Sequence, residues 1–108
     1  MKFKRCLIDK LCGDWNAEQG RFIRRIVPVY GYQAETEIDG KSYALQLFKQ
    51  TKGWRLGLYG MLFGKDLHFD TLEAANENAE TAFRDWLFWN GTARLEGQER
   101  EYRHIKGG

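Results

Sequence analysis

Between Phe69 and Trp89 the apolar residues Leu72, Ala75, Ala79, Ala82, Phe83, Trp86 and Leu87 recur three and four positions apart. That spacing puts them on one face of a helix over about 71–89. Thr71 precedes the run as its N-cap, with a hydroxyl able to accept from a free N–H of the first turn. Asn90-Gly91 is the stop, since both residues tolerate the left-handed backbone of a C-cap. Glu73, Asn76, Glu77, Glu80 and Arg84 fall on the other face and are expected to be solvated. Glu73 and Glu77 also lie near the positive end of the helix dipole. Phe88 falls off the apolar face and either covers a neighbouring segment or stands exposed.

Strand patterns precede this helix. Residues 21–29 carry β-favouring Phe22-Ile23 and Ile26-Val27, interrupted by Arg24-Arg25. Pro28 lacks a ladder donor, so this strand is an edge or ends there. Tyr32, Ala34, Thr36 and Ile38 alternate with Gln33, Glu35 and Glu37. Asp39-Gly40 is a strong hairpin signal, because both residues accept the positive φ of a type I′ turn. Tyr43, Leu45 and Leu47 alternate on the return strand. After a turn at Thr51-Lys52-Gly53, residues Trp54, Leu56, Leu58 and Leu62 form the apolar side of a third strand. Gly57, Gly60 and Gly64 predict a bulge or strong coiling there. Leu67 and Phe69 point inward from a short last strand leading into the helix.

The ends read differently. Residues 3–12 fit a short helix through Phe3, Cys6 and Leu7, although Cys6-Leu7-Ile8 equally suits a buried strand. The helix is favoured, ending at Gly13-Asp14 and followed by a loop over 14–20 with Trp15 anchored beneath it. Residues 92–108 form a polar extension, docked or mobile, with Leu95, Tyr102 and Ile105 as its large hydrophobes. The expected fold is α+β: an antiparallel meander of three to four strands packed on one long helix, as a single domain over 1–91.

Composition changes this picture little. The 108 residues are 43% hydrophobic and 15% aromatic, enough for a core and against general disorder. No run approaches the length of a membrane span, and MKFKRCLIDKLCGDW lacks the uninterrupted apolar stretch of a secretory signal. The expected setting is therefore cytoplasmic, with no membrane partner. Cys6 and Cys12 match neither a CxxC nor a disulfide framework and are expected as free thiols. The net charge of +2 compels no polyanionic partner. The charge is uneven, however: Lys2, Lys4, Arg5, Lys10, Arg21, Arg24 and Arg25 make the first quarter basic, while the long helix is acidic.

Little of the chain is equipped for catalysis. On a strand, Asp66, His68 and Asp70 would share one face, as a divalent metal or an oriented imidazole requires. The inward residues there are Leu67 and Phe69, so the polar three read first as the wet side of a strand. Ser42, beside the hairpin turn, lacks the glycine context of a nucleophile elbow. No GxxxxGK[ST] is present, so the glycines of 53–64 are not a phosphate loop. His104 lies in the polar extension. The chain is expected not to be an enzyme and to need no cofactor or metal.

Two binding readings follow. The order helix, three-stranded meander, helix is that of double-stranded-RNA-binding domains, which place basic residues at the start of the second helix. Here that position is acidic, with Glu73 and Glu77, and opposes the mode. A nucleic-acid surface of Arg21, Arg24 and Arg25 together with Lys2, Lys4 and Arg5, and with Tyr30 and Tyr32 for stacking, is the alternative. The favoured reading is a protein partner or a protein–nucleic-acid complex. It would be met by the edge strand near 21–29, by Glu73, Asn76, Glu77 and Glu80, and by Phe88 and Trp89 as apolar anchors unless Trp89 seals the core.

The run Trp54…Phe69-Asp70-Thr71-Leu72-Glu73-Ala74-Ala75…Ala79-Glu80…Phe83…Trp86-Leu87 resembles small accessory proteins of bacteriophages and prophages. In those, a tryptophan-bearing strand passes through an F-x-T-L-x-x-A cap into an alanine-rich helix ending in W-L. The resemblance covers about residues 30–89. It implies a protein of the bacterial cytosol that acts stoichiometrically on host machinery, including as an anti-CRISPR-type inhibitor of a defence complex. It assigns no functional residue.

Overall fold

The structure is a computed structural model and describes residues 1–63, 67–90 and 92–107. Gly64, Asp66 and Gly91, each part of an expectation above, lie outside the described residues. The elements are β1 (Lys4–Asn16), β2 (Arg21–Ile38), β3 (Lys41–Lys49), β4 (Trp54–Leu58), β5 (Met61–Leu62), β6 (His68–Phe69), α1 (Leu72–Asn90) and α2 (Thr92–Gly107). The strands form one antiparallel sheet in the order β1-β2-β3-β4-β5, with β6 also on β4. The fold is α+β as expected, but its sheet is larger and has a second helix.

The largest departure is at the start. Residues expected as a short helix and loop form β1, which pairs with β2 from Lys4 opposite Gln33 to Asn16 opposite Arg21. Ile8 is buried and Leu7 exposed, a period of two. The partner strand β2, joined to it as a hairpin, decides this segment, overriding a local pattern that fits either structure. Trp15 is no anchor beneath a loop. It is 59% exposed near the end of the hairpin and meets Phe22 edge-on at 5.4 Å between ring centroids.

Pro28 does not end its strand, because its missing donor falls on the open side. Leu11 N–H bonds to the Gly60 carbonyl at 2.8 Å and so points away from β2. Bonding direction repeats every second residue, so Asp9 and its partner Pro28 exchange no hydrogen bonds either. The Pro28 nitrogen therefore faces outward, where β3, which starts to pair only at Tyr32, is absent. The edge expected for residues 21–29 is present.

The Leu11–Gly60 bond also shows how far the sheet coils: the β4–β5 turn reaches the outer edge of β1. That turn divides the expected third strand, with positive φ at Tyr59 and Gly60. The Asp39-Gly40 turn is as expected, with φ of 51° and 80° and Ile38 opposite Lys41.

One sheet face carries Ala34, Ile38, Tyr43, Leu45, Leu47, Leu56 and Leu58 and meets Ala75, Ala79 and Phe83 of α1. Phe83 lies edge-on to Tyr43 at 5.1 Å and stacks with Phe63 at 5.8 Å. Thr71 caps α1: its hydroxyl accepts the Ala74 N–H at 3.0 Å. The extension 92–107 is helical and docked. Its Leu95 is buried in the same core, while its outer half is held by polar bonds to the β1–β2 hairpin. That hairpin makes the molecule long, 46 × 30 × 22 Å, with a radius of gyration of 14.3 Å. A compact chain of this length would have about 13 Å.

Candidate functional site

At the end of α1, Phe88 and Trp89 are 77% and 80% exposed. Consecutive helix positions lie about 100° apart, and the apolar face ends with Trp86 and Leu87, so both rings project past it. They touch edge-on, 5.1 Å between centroids at 88°. Trp89 does not seal the core. Beside Phe88 a groove of about 550 Å³ runs to the β2–β3 turn, with Tyr43 and Leu87 in its wall and Lys41 and Arg84 at its rim.

The acidic face of α1 divides. Glu73 and Glu77 are exposed as expected. Asn76 and Glu80 are not merely solvated but turn back to the sheet side. Asn76 Oδ1 accepts the Phe3 N–H at 2.9 Å, and Glu80 accepts the Thr36 hydroxyl at 2.6 Å. Glu80 also faces Arg84 at 3.9 Å. The reason is helical geometry: these two positions flank the buried row of Ala75, Ala79 and Phe83 rather than opposing it.

The three arginines do not converge. Arg24 and Arg25 point to opposite faces of β2 by strand alternation. Arg24 pairs with Glu101 of α2, and Arg25 with Asp14 at 3.0 Å. Arg21 donates to Gln19 at 2.9 Å. Tyr30 and Tyr32 lie further along β2, beside Arg5 of the expected basic patch and near Lys49, which lies outside it. Arg5 lies 4.9 Å above the Tyr30 ring, and Lys49 4.9 Å above the Trp54 ring. Tyr32 meets Trp54 edge-on at 5.1 Å and 90°. Lys49 and Trp54 join them only through the register that sets Arg5 opposite Tyr32 and Lys49 opposite Trp54.

A polar clasp fixes α2. Asp9 accepts the Tyr102 hydroxyl at 2.6 Å and the Lys106 ammonium at 2.8 Å. The bond from Lys106, then that from Tyr102, holds the Asp9 carboxyl below its ordinary range, and Asp9 in turn raises Lys106. Arg103 donates to Glu99 at 2.9 and 3.2 Å and lowers it, with Lys41 of β3 adding from 3.7 Å. Burial pushes the Tyr59 phenol up, and the Glu99 charge adds to the rise.

Of the catalytic candidates, His68 and Asp70 come near each other at an exposed position. His68 Nε2 donates to the Lys52 carbonyl, which occupies that nitrogen, and Nδ1 is 3.8 Å from Asp70, whose side chain is 93% exposed. Asp66 lies outside the described residues. Among the described residues no three His, Cys, Asp or Glu side chains gather as a metal site would need. Cys6 and Cys12 are free thiols, both half-buried. Among the described residues no helix is long and apolar enough to cross a membrane. Comparison with protein-family models, curated proteins and solved structures finds no match to this chain.

Proposed function

We propose that this chain is a small binding protein of phage or prophage type. On this reading it acts stoichiometrically in a bacterial cytosol by docking on a protein or protein–nucleic-acid complex, as an inhibitor of a host or defence assembly and not as a catalyst. The observation that carries the docking is the exposed pair Phe88 and Trp89. Isolated exposed hydrophobes are ordinary, but two large aromatic rings in mutual contact beside a groove have the form of an interface anchor. Lys41 and Arg84 at the groove rim face Glu99 and Glu80 and share the rim with Asp39, so the apolar rings and not net charge support the docking. The class of partner is supported by the resemblance of residues 30–89 to phage accessory proteins.

The test is capture from nuclease-treated bacterial lysate with the natural chain and with Phe88→Ala/Trp89→Ala. The reading expects one protein complex to be recovered and lost with the variant. Each ring should account for about 2 kcal/mol, roughly 30-fold in affinity. The variant should melt with the natural chain, since both rings already stand in solvent. Capture that survives the double change, or recovery of nucleic acid alone, would sink the reading.

A further inference from the structure

Four strands bring two cations and three aromatic rings to one patch at the margin of the core. Strand alternation and register put Arg5, Tyr30, Tyr32, Lys49 and Trp54 on the same sheet face. Between them lies a depression of about 180 Å³, and no carboxylate is among its described lining residues. Tyr30 is 64% exposed. Tyr32 and Trp54 pack against the core and hold their rings in place.

The charges at this patch differ in kind from those elsewhere on the hairpin. Arg24 and Arg25 are each matched by a carboxylate. Arg5 and Lys49 rest instead on ring faces. A ring quadrupole attracts a cation but cancels none of its charge. Both therefore remain able to meet an anion, while the rings offer π-faces a few ångströms away. Stacking surface beside uncompensated positive charge is the chemistry that recognises an unpaired base with its flanking phosphates.

We propose that this groove binds single-stranded nucleic acid, a base stacking on the Tyr30 side of the groove and the adjoining phosphates meeting Arg5 and Lys49. A duplex keeps its bases stacked inside and cannot use the rings. An acidic peptide could use the cations but would leave the rings idle. The site is separate from Phe88 and Trp89 and does not depend on the docking they are proposed to make.

Fluorescence anisotropy with a labelled short oligothymidylate, across a range of salt concentrations, tests this directly. Binding should weaken with salt, and Arg5→Ala/Lys49→Ala should reduce the slope of log affinity against log salt by about 1.4. Tyr30→Ala should weaken binding roughly tenfold, and Tyr30→Phe should restore it. All these side chains are exposed, so the variants should keep the fold; Phe88→Ala/Trp89→Ala should bind the oligonucleotide as the natural chain does. Absent binding, equal affinity for a duplex of the same length, equal competition by polyglutamate, or indifference to Tyr30→Ala would each overturn the proposal.

Discussion

The hydroxyl of Tyr102 donates a 2.6 Å hydrogen bond to the carboxylate of Asp9, joining residues 93 positions apart. Through this bond the last helix grips the first strand. With Lys106 on the same oxygen, it makes α2 docking sensitive to acid. Asp9 and Glu99 are both held below their ordinary values. Their contribution is therefore complete above the unfolded values of about 4 and is lost as pH falls through the folded ones. NMR between neutral and strongly acidic pH should show α2 resonances changing before those of Leu45 and Phe83. Asp9→Asn should weaken docking at neutral pH and flatten the acid response, and Tyr102→Phe should cost about 1 kcal/mol. Simultaneous loss of α2 and core in both the natural chain and Asp9→Asn would refute this ordering.

Thr36 and Glu80 form an unequal pair. Thr36 is buried at 8% exposure, whereas the Glu80 side chain is 47% exposed. Removing Glu80 strands a buried hydroxyl, a loss of about 1–3 kcal/mol. Thr36→Val removes the buried polar group, and Glu80 can return to water. Thermal melts should therefore rank Glu80→Ala well below Thr36→Val, with about 4–8 °C lost per kcal/mol. The reverse ranking would overturn this reading, since it would mean that the Thr36 hydroxyl is satisfied without Glu80.

At Gly31 of β2, a side chain of β1 and the backbone of β3 crowd the same spot. A methyl group there would lie against Ile8 Cδ1 and 2.5 Å from the Leu47 carbonyl oxygen. The side chain can move but the ladder oxygen cannot. Gly31→Ala should cost about 1–3 kcal/mol, and adding Ile8→Val should recover only part of it. Chemical denaturation of the single and double variants decides this; full recovery would show that the backbone contact is tolerated.

The legible parts of this fold are those fixed by near neighbours. The Thr71 cap, the spacing from Leu72 to Leu87 and the Asp39-Gly40 turn each encode geometry within a few residues. β1 is different: its buried Ile8 and exposed Leu7 take their places only once β2 lies alongside. α2 was hidden for a second reason. It buries Leu95 alone among its described residues, and its remaining grip comes from polar bonds to Asp9, Arg24 and Lys41 and from the contact of Tyr102 with Tyr59, which leave no apolar period. The candidate surfaces follow the same division. Phe88 is visible as a ring off a helical face. The Arg5, Tyr30, Tyr32, Lys49 and Trp54 patch exists only after four strands have been set in register.

The outward-facing nitrogen of Pro28 bears on how this protein behaves at high concentration. Among the described residues no strand lies on the outer side of residues 21–31, and a bare edge of that length is a template for copies of the chain to add to one another. Without an amide hydrogen at Pro28, the outward donors on either side cannot form one continuous ladder. Ile26 and Tyr30 are the outward donors that flank this gap. The proline that the strand accommodates at no structural loss thus interrupts the stretch of open edge on which another copy could build a continuous ladder.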